Sequence, residues 1–274
     1  MFQKNQSYKI GLTFDLEYWH CGFFLKKYLP HNLADIPEYY SEITERVLEL
    51  LKNNNGQATF FILGKIIREN PALIKKIMAD GHEISYHGFE HIPLNELELE
   101  KFVIELAGDK GIMQENFGQN FIGFRAPNFF LTKNNLEIWK ILKENGFVYD
   151  SSLIGKQASE INGVKEISVG SLKLFFLEIP LGGWYFRFLP YWLFALILKY
   201  KINCGQMPVI YLHMMDLWPE IPKIKLPYLI KVIKYWGIKS SWKKLKKILK
   251  EFETVRMDSI NLRDPRFRED DNYI

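Results

Sequence analysis

Two carboxylates follow the apolar segment YKIGLTF, at Asp15 and Glu17. Side chains two apart on a strand share a face, so both carboxylates can point into one pocket. Such a pair can divide its work, one group binding a metal and the other accepting a proton. The D-x-E pattern also occurs as an ordinary surface or capping feature. The pair therefore needs support from other residues.

Two histidines, His87 and His91, follow a second short segment in HEISYHGFEH. Neutral imidazoles are the commonest zinc ligands, and this spacing lets both rings reach one ion when the loop between them turns helical. His82 precedes the segment and would lie at its opposite end, so we interpret it as structural. The histidine pair predicts a metal site, although the same spacing also arises by chance.

Single polar residues end three later segments. Arg125, in GFRAPNF, is placed to hold a carboxylate in the site. Alternatively, it forms a surface salt bridge, which contributes little to stability. Asp150 ends the next segment, and His213 ends VIYL. A histidine that faces carboxylates suits a general acid, whereas a lone histidine is more often structural. The sequence has no Gly-rich phosphate loop, no G-x-S-x-G motif and no zinc-type cysteine pairing.

The elements that must position these residues alternate between strand-like and helical patterns. Strands are predicted at 8–14, 58–63, 83–86, 121–124, 148–149, 174–179, 209–212 and 254–257. Helical patterns occupy 38–52, 71–79, 95–107, 134–144, 192–199 and 241–251. This alternation predicts an α/β fold with a parallel sheet, most simply closed as a barrel. Functional groups then belong at the carboxyl ends of the strands.

The composition is that of a soluble globular protein. Hydrophobic residues make up 47% of the chain and the net charge is only +4, which argues against disorder. The two cysteines allow at most one disulfide. The first residues lack the apolar core of a signal peptide, and the longest apolar run, 188–198, is well short of the roughly 20 residues that span a bilayer. We therefore expect a reduced, cytoplasmic protein.

A lysine tract at 223–250 contains ten lysines and no acidic residue, interleaved with apolar and aromatic residues. One interpretation is attraction to anionic lipid head groups, which would place the protein peripherally at the inner membrane face. The other is a solvated helix face whose apolar residues pack on the protein body. Nucleic acid is a poorer partner, because the rest of the chain is net acidic.

Taken together, the segments are more specific than any one of them. TFD at 13–15, TFFILG at 59–64, GHEISYHGFEH at 81–91 and GFRAPNF at 123–129 occur in this order, followed by YDSS, EIPLGGWYFRFLPYW and YLHMMDL. Over about residues 8–257 the chain resembles the polysaccharide deacetylase family, the NodB homology domain of carbohydrate esterase family four, in its exopolysaccharide-biosynthesis branch. The resemblance implies a distorted (β/α) barrel forming a single domain at 1–258. We expect the polar tail at 259–274 to be disordered.

The resemblance also implies roles for individual residues. His87 and His91 correspond to the metal-binding histidines, Asp15 to the catalytic base, Arg125 to the arginine that orients it, and His213 to the general acid. The usual TFDD is TFDLE here, which transfers the third metal-ligand role to Glu17. Either Asp150 or Asp216 could orient His213. Substrate contacts are expected from Pro127, Asn128, Trp184 and Tyr185.

The implied reaction is hydrolysis of an N-acetyl group from an amino-sugar glycan, with Zn²⁺ or another divalent transition metal as cofactor. Two alternatives stay open. One is an amidase acting on a small or cyclic amide, and the other is a non-catalytic, metal-containing glycan-binding protein. The sugar, its linkage and the chain length are not encoded in any motif that we identified.

Overall fold

The computed structural model describes residues 8–22, 25–155, 160–174 and 177–260. Its strands are β1 (Lys9–Leu16), β2 (Thr59–Ile62), β3 (Glu83–Tyr86), β4 (Gly123–Phe124), β5 (Tyr149–Asp150), β6 (Glu160–Ile161), β7 (Val164–Glu166), β8 (Ser171–Leu174), β9 (Leu177–Pro180), β10 (Val209–His213) and β11 (Glu253–Val255). The main sheet has the order β10-β1-β2-β3-β4-β5-β7-β6, with β11 also paired to β1. Every pairing in it is parallel except that of β6 with β7.

The helices are α1 (Tyr40–Lys52), α2 (Gly64–Glu69), α3 (Pro71–Ala79), α4 (Leu99–Phe117), α5 (Leu136–Glu144), α6 (Gly183–Phe188), α7 (Tyr191–Asn203), α8 (Tyr228–Tyr235) and α9 (Ile238–Glu251). Most follow from local sequence. In α1 the residues at helical spacing are the buried ones, including Val47 and Leu51. Helix α3 begins at a proline, and the side chain of Asn70 caps it by accepting from the backbone N–H of Leu73.

Alternate side chains of the central strands face opposite sides of the sheet. On one side Phe14 stacks on Phe60, 5.2 Å between ring centroids, within the large core beneath the helices. On the other side Phe61 and Tyr149 belong to a smaller apolar cluster. Asp15 is the register partner of Phe61, so its carboxylate lies on this second side.

The main sheet curls into a barrel. The barrel closes between segment 170–182 and β10 through single backbone hydrogen bonds rather than through a regular ladder. The N–H of Gly170 donates to the carbonyl of Val209 on β10, and the N–H of Tyr211 donates to the carbonyl of Leu181. Gly182 forms a further isolated bridge with Tyr211. A Cβ at Gly182 would lie 2.1 Å from the carbonyl oxygen of Tyr211, so this close approach requires glycine. The result is the distorted (β/α) barrel that the sequence predicts.

The structure corrects some element predictions. Segment 174–179 is not one strand: it contains the last residue of β8 and the first three of β9, and these two strands pair antiparallel outside the main sheet. Helix α4 extends ten residues beyond the predicted end at 107. Short elements such as α2, α6 and α8 carry too few apolar repeats to be recognised from periodicity.

The structure tests the expectations about the cysteines and about membrane-spanning helices, but not those about the C-terminal tail and the domain boundary. Cys21 and Cys204 are both free thiols. Among the described residues, no helix is both long and apolar enough to cross a bilayer. Most of the predicted tail, residues 261–274, lies outside the described residues, so its disorder stays a prediction. The single-domain boundary at 258 also stays a prediction.

Candidate active site

Strand β1 delivers two carboxylates to one side of the sheet at its carboxyl end. Asp15 is 1% exposed and Glu17 is 4% exposed. Leu16, between them, belongs to the core on the opposite side. This alternation is the one that the sequence predicts. Leu16 therefore points away from the pocket that Asp15 and Glu17 face.

Three buried side chains converge just beyond the ends of β1 and β3. Oε2 of Glu17 lies 2.6 Å from Nε2 of His91 and 3.7 Å from Nε2 of His87. One potential ligand atom from each residue lies within 4.8 Å of the other two. The loop from His87 to His91 is not the helical turn that we expected. It turns through left-handed backbone at Gly88, φ 78°, and at His91 itself, φ 62°.

The donor set fits a divalent transition metal. Nδ1 of His87 lies 2.7 Å from the carbonyl oxygen of Arg125. Because a carbonyl oxygen can only accept, Nδ1 is the N–H donor in this hydrogen bond and Nε2 is left as the ligand atom. Oε2 of Glu17 is buried and accepts no hydrogen bond of good geometry, despite its closeness to His91. Two imidazoles and a carboxylate are the ligands of many zinc sites that keep a position open.

The charge on Glu17 agrees with this assignment. Burial raises the pKa of its carboxyl, but the facing His91 and His213 lower it more, and the pKa ends well below its usual range. Glu17 is therefore an ionised carboxylate at neutral pH, ready to coordinate a cation.

Arg125 fixes Asp15 from the floor of the site. Its Nη1 donates to Oδ1 of Asp15 at 2.6 Å and to Oγ1 of Thr13 at 2.9 Å. Nε and Nη2 donate to the backbone oxygen and the hydroxyl of Ser151. Arg125 is fully buried, so this ion pair is not the surface salt bridge of the alternative interpretation. It holds the Asp15 carboxylate in one orientation.

His213 stands opposite Asp15 across the register of β1 and β10. Its Nε2 lies 3.7 Å from Oδ2 of Asp15, and its Nδ1 lies 3.0 Å from Oδ2 of Asp216. Asp216 in turn lies 2.6 Å from Nε of the buried Arg187. Of the two partners left open by the sequence, Asp216 is the one in contact. Asp150 instead accepts from the backbone N–H and hydroxyl of Ser152.

The carboxylates around His213 favour its protonated form. Burial lowers the pKa of this imidazole, but Glu17, Asp216 and Asp15 outweigh burial and raise the pKa to about 9. For Asp216 the directions are reversed: burial raises the pKa of its carboxyl, but Arg187 and His213 lower it to about 2. The pair can hold a proton on His213 at neutral pH.

These groups line one cavity of about 330 Å³, whose wall contains Asp15, Glu17, His87, His91, His213, Asn128, Phe129, Tyr211 and Met215. Of the four predicted substrate-binding residues, Asn128 lies in this wall and Pro127 is buried beside it. Trp184 and Tyr185 are partly buried on α6, where Trp184 stacks on Phe188. They are not among the described residues lining the cavity, and their role stays a prediction. A larger cavity of about 780 Å³ adjoins the first and shares His91 and Asn128.

Sequence reasoning missed several residues that shape the site. Thr13 and Tyr211 were available from strand alternation, because each lies two residues before a predicted site residue and therefore shares its face. Ser151 and Arg187 carried no such signal. Their contacts with Arg125 and Asp216 join residues 26 and 29 positions apart. The fold and site thus define a (β/α)-barrel protein with two histidines and a carboxylate at its strand ends.

Comparison with known families makes the assignment specific. Residues 3–149, more than half of the chain, match the polysaccharide deacetylase family. Residues 150–261 match a domain of unknown function, DUF3473. The chain belongs to the polysaccharide deacetylase family. Its site draws on both matched parts, because Asp15 and Arg125 lie in the first and His213 in the second.

Curated relatives match only a part of the chain. A Bacillus cereus peptidoglycan-N-acetylglucosamine deacetylase is 30% identical over 104 residues, which are 38% of this chain and 47% of that protein. An Azorhizobium caulinodans chitooligosaccharide deacetylase is 29% identical over 89 residues, 32% of this chain and 42% of that protein. The chain thus spans less than half of the length of these two relatives.

Solved structures share the fold over almost the whole chain. A Mycobacterium smegmatis protein described as a polysaccharide deacetylase has a TM-score of 0.63 and 18% identity, covering 96% of this chain and 92% of its own. A family 4 carbohydrate esterase pseudoenzyme from Bacillus anthracis has a TM-score of 0.52 and 14% identity, covering 93% and 66%. At such identities the likeness concerns the fold alone.

Proposed function

We propose that this protein is a metal-dependent hydrolase that removes N-acetyl groups from an amino-sugar polysaccharide or glycan precursor. The observation that carries the proposal is the buried convergence of Glu17, His87 and His91 beside the Asp15–Arg125 pair. Two curated relatives are named as deacetylases of N-acetylated glycans, and this supports the same class of substrate.

Each residue then has a distinct task. A divalent metal held by Glu17, His87 and His91 would supply Lewis acidity to the acetyl carbonyl and the attacking water. Asp15 accepts a proton from the attacking water, while Arg125 holds the Asp15 carboxylate in position. His213 donates its proton to the departing sugar nitrogen, which cannot leave as an anion. Asp216 holds Nδ1 of His213, so that Nε2 carries the transferable proton toward the site.

Two other functions would use the same scaffold. An amidase for a small or cyclic amide is the first alternative, and the smaller cavity, of about 330 Å³, would suit such a substrate. The adjoining larger cavity favours an extended glycan instead. A non-catalytic glycan-binding protein is the second alternative, and the pseudoenzyme with the same fold is its precedent. The complete set of base, acid and metal-ligand candidates argues for catalysis.

The proposal includes cytoplasmic placement with peripheral contact between the lysine tract and an anionic membrane surface, in an exopolysaccharide pathway. What supports the membrane contact is exposure. Among the ten lysines of the tract, those exposed to solvent are Lys223, Lys225, Lys231, Lys239, Lys243, Lys246, Lys247 and Lys250. Lysines exposed in this way can interact with lipid phosphates.

The decisive experiment measures metal content and acetate release together. Protein loaded with zinc should release acetate from N-acetylated oligosaccharides, and chelation should abolish the release. The Asp15→Asn variant should keep the metal and lose the activity, because an amide cannot accept the proton from water. Metal binding with no acetate release from any N-acetylated glycan, and with turnover of small amides, would favour the amidase.

A further inference from the structure

Helix α8 is oriented against the usual rule for an amphipathic helix. Tyr228 and Leu229 are 77% and 73% exposed, and Ile233 and Trp236 beyond them are also exposed. Helical spacing places these four side chains on one face. All residues of α8 are described, and the one buried among them is Lys234. The helix thus buries a lysine and presents its apolar face to solvent.

Polar contacts hold α8 in this orientation. The ammonium of Lys234 donates to the backbone oxygen of Trp19 and lies 3.2 Å from Sδ of Met215. Arg187 donates to the carbonyl oxygens at the end of the helix, those of Ile233, Lys234 and Trp236. Burying an ammonium is costly unless it is bonded, so these contacts oppose rotation of the apolar face inward. The contacts of Lys234 and Arg187 thus keep the apolar face of α8 turned toward solvent.

Further exposed apolar residues lie on α6 and α7. Phe188 follows Arg187 directly and is exposed beside the end of α8. On α7, Trp192 and Leu196 are exposed one helical turn apart. Of the fourteen exposed large hydrophobic residues among those described, eight lie between 188 and 236. On α8 the exposed apolar residues share one face, and a contiguous apolar face of this kind marks an interaction surface.

The charges that the lysine tract itself contributes have one sign. Within the lysine tract Lys225 and Lys231 flank the apolar face of α8, and Lys239 follows it, with no acidic residue between 223 and 250. We propose that α8 is an interfacial helix that lies in the head-group region of an anionic bilayer, its apolar face in the lipid and its lysines at the phosphates.

Other occupants fit less well. A polyanion such as nucleic acid would use the lysines but leave Leu229 and Trp236 in water. A second copy of the chain would bring two lysine-rich surfaces of the same sign together. An anionic bilayer satisfies the apolar face and the lysines at once.

Docking would bring the candidate active site close to the membrane. Met215, which contacts Lys234 on the inner side of α8, lines the active-site cavity. The cavity wall therefore lies about one helix diameter, roughly 10 Å, from the face that meets the lipid. This consequence, which rests on the proposed function, points to a glycan carried at the membrane surface. The binding itself does not depend on the reaction.

Vesicle co-sedimentation tests the proposal with the full chain. We expect binding to vesicles of phosphatidylcholine and phosphatidylglycerol at low salt, and weak binding to phosphatidylcholine alone. Leu229→Ser with Trp236→Ser should lower partitioning at least tenfold, whereas Ile104→Ser, at an exposed apolar position on α4, should not change it. Each of Lys231→Gln and Lys239→Gln should lower it by roughly fivefold. Brominated lipid should quench the fluorescence of the wild type more than that of Trp236→Phe.

Several outcomes would overturn the proposal. Equal partitioning of the α8 double variant and Ile104→Ser would show that the apolar face is not used. A dimer in sedimentation velocity that dissociates in the double variant would assign the face to a second copy. Oligonucleotide binding without vesicle binding would assign the lysines to a polyanion. Acetate release from a soluble oligosaccharide is measured in parallel. Its absence in the wild type, with vesicle binding intact, would reject only the proposed function.

Discussion

At the scale of single residues, the first prediction tests whether Asp15 is the catalytic base and Glu17 the third metal ligand. We expect Asp15→Asn to bind zinc normally and to lose turnover, because Arg125 still has a partner but the base is gone. Glu17→Gln should bind zinc more weakly, with activity partly restored by excess zinc, because the ligand is poorer while the base survives. Zinc titration combined with acetate release measures both effects.

The competing assignment makes Asp15 both base and metal ligand. It predicts loss of metal as well as activity in Asp15→Asn. The distances favour our assignment, because Oε2 of Glu17 approaches His91 at 2.6 Å whereas Asp15 is held by Arg125. Unchanged zinc affinity in Glu17→Gln would show that our assignment is wrong.

A second prediction at this scale concerns the partner of His213. The pKa of His213 is raised to about 9 in part by Asp216, and a general acid works only below its pKa. Asp216→Asn should therefore lower this pKa and move the alkaline limb of the kcat/KM profile toward lower pH. The loss should be about tenfold to a hundredfold at pH 8 and smaller at pH 6. The pH profile of acetate release measures the shift.

Asp150→Asn is the informative comparison, because Asp150 is the alternative partner that the sequence allows. It does not contact His213, so its replacement should leave the alkaline limb in place. A shift of that limb in Asp150→Asn but not in Asp216→Asn would contradict the contact seen in the structure.

At the scale of elements, strands β5 and β7 pair two buried acids, Asp150 and Glu166, in register. Burial raises the pKa of Glu166 well above its usual range, and the Asp150 carboxylate raises it further. A group with a raised folded-state pKa stabilises the fold below its unfolded pKa, and this contribution is lost as the pH rises through the folded-state value. Wild-type stability should thus decline above about pH 4.5 through this pair.

Glu166→Gln should remove that decline, because the amide donates to Asp150 without having to hold a proton. The stability of the variant relative to wild type should grow by at least about 1 kcal/mol between pH 5 and pH 8. Denaturant unfolding at several pH values measures it, with the exposed Glu144→Gln as a matched control. A constant difference between variant and wild type over this range would argue against the raised pKa of Glu166.

At the scale of the whole molecule, metal binding should stabilise the fold. Zinc at about a hundred times its Kd adds about 2.7 kcal/mol, and each kcal/mol raises the Tm of a chain this size by about 2–4 °C. We expect this increase in the wild type and its loss in His87→Ala and His91→Ala. His31→Ala, an exposed histidine of the adjoining cavity, should retain it. Thermal unfolding with and without zinc provides the readout. One equivalent of zinc retained by the double histidine variant would refute the site.

The sequence by itself determined the local elements and the residue types at their ends. Strand β3 and helix α3 have the predicted bounds, because period-two and helical patterns with proline and glycine at their ends are local signals. Asp15 and Glu17 share a face for the same reason. The ordered motifs then indicated the barrel and its site before any contact was known.

Tertiary structure decided what local patterns leave open. Asp216 rather than Asp150 meets His213, because the turn after β10 folds back on the histidine. The ring closes through single backbone bonds that no periodicity encodes. Helix α8 shows the limit most clearly. Its pattern tells which side chains share a face, but which face turns inward was set by the contact of Lys234 with Trp19, 215 positions away. Amphipathic spacing is a local property, whereas burial depends on what the rest of the chain brings alongside.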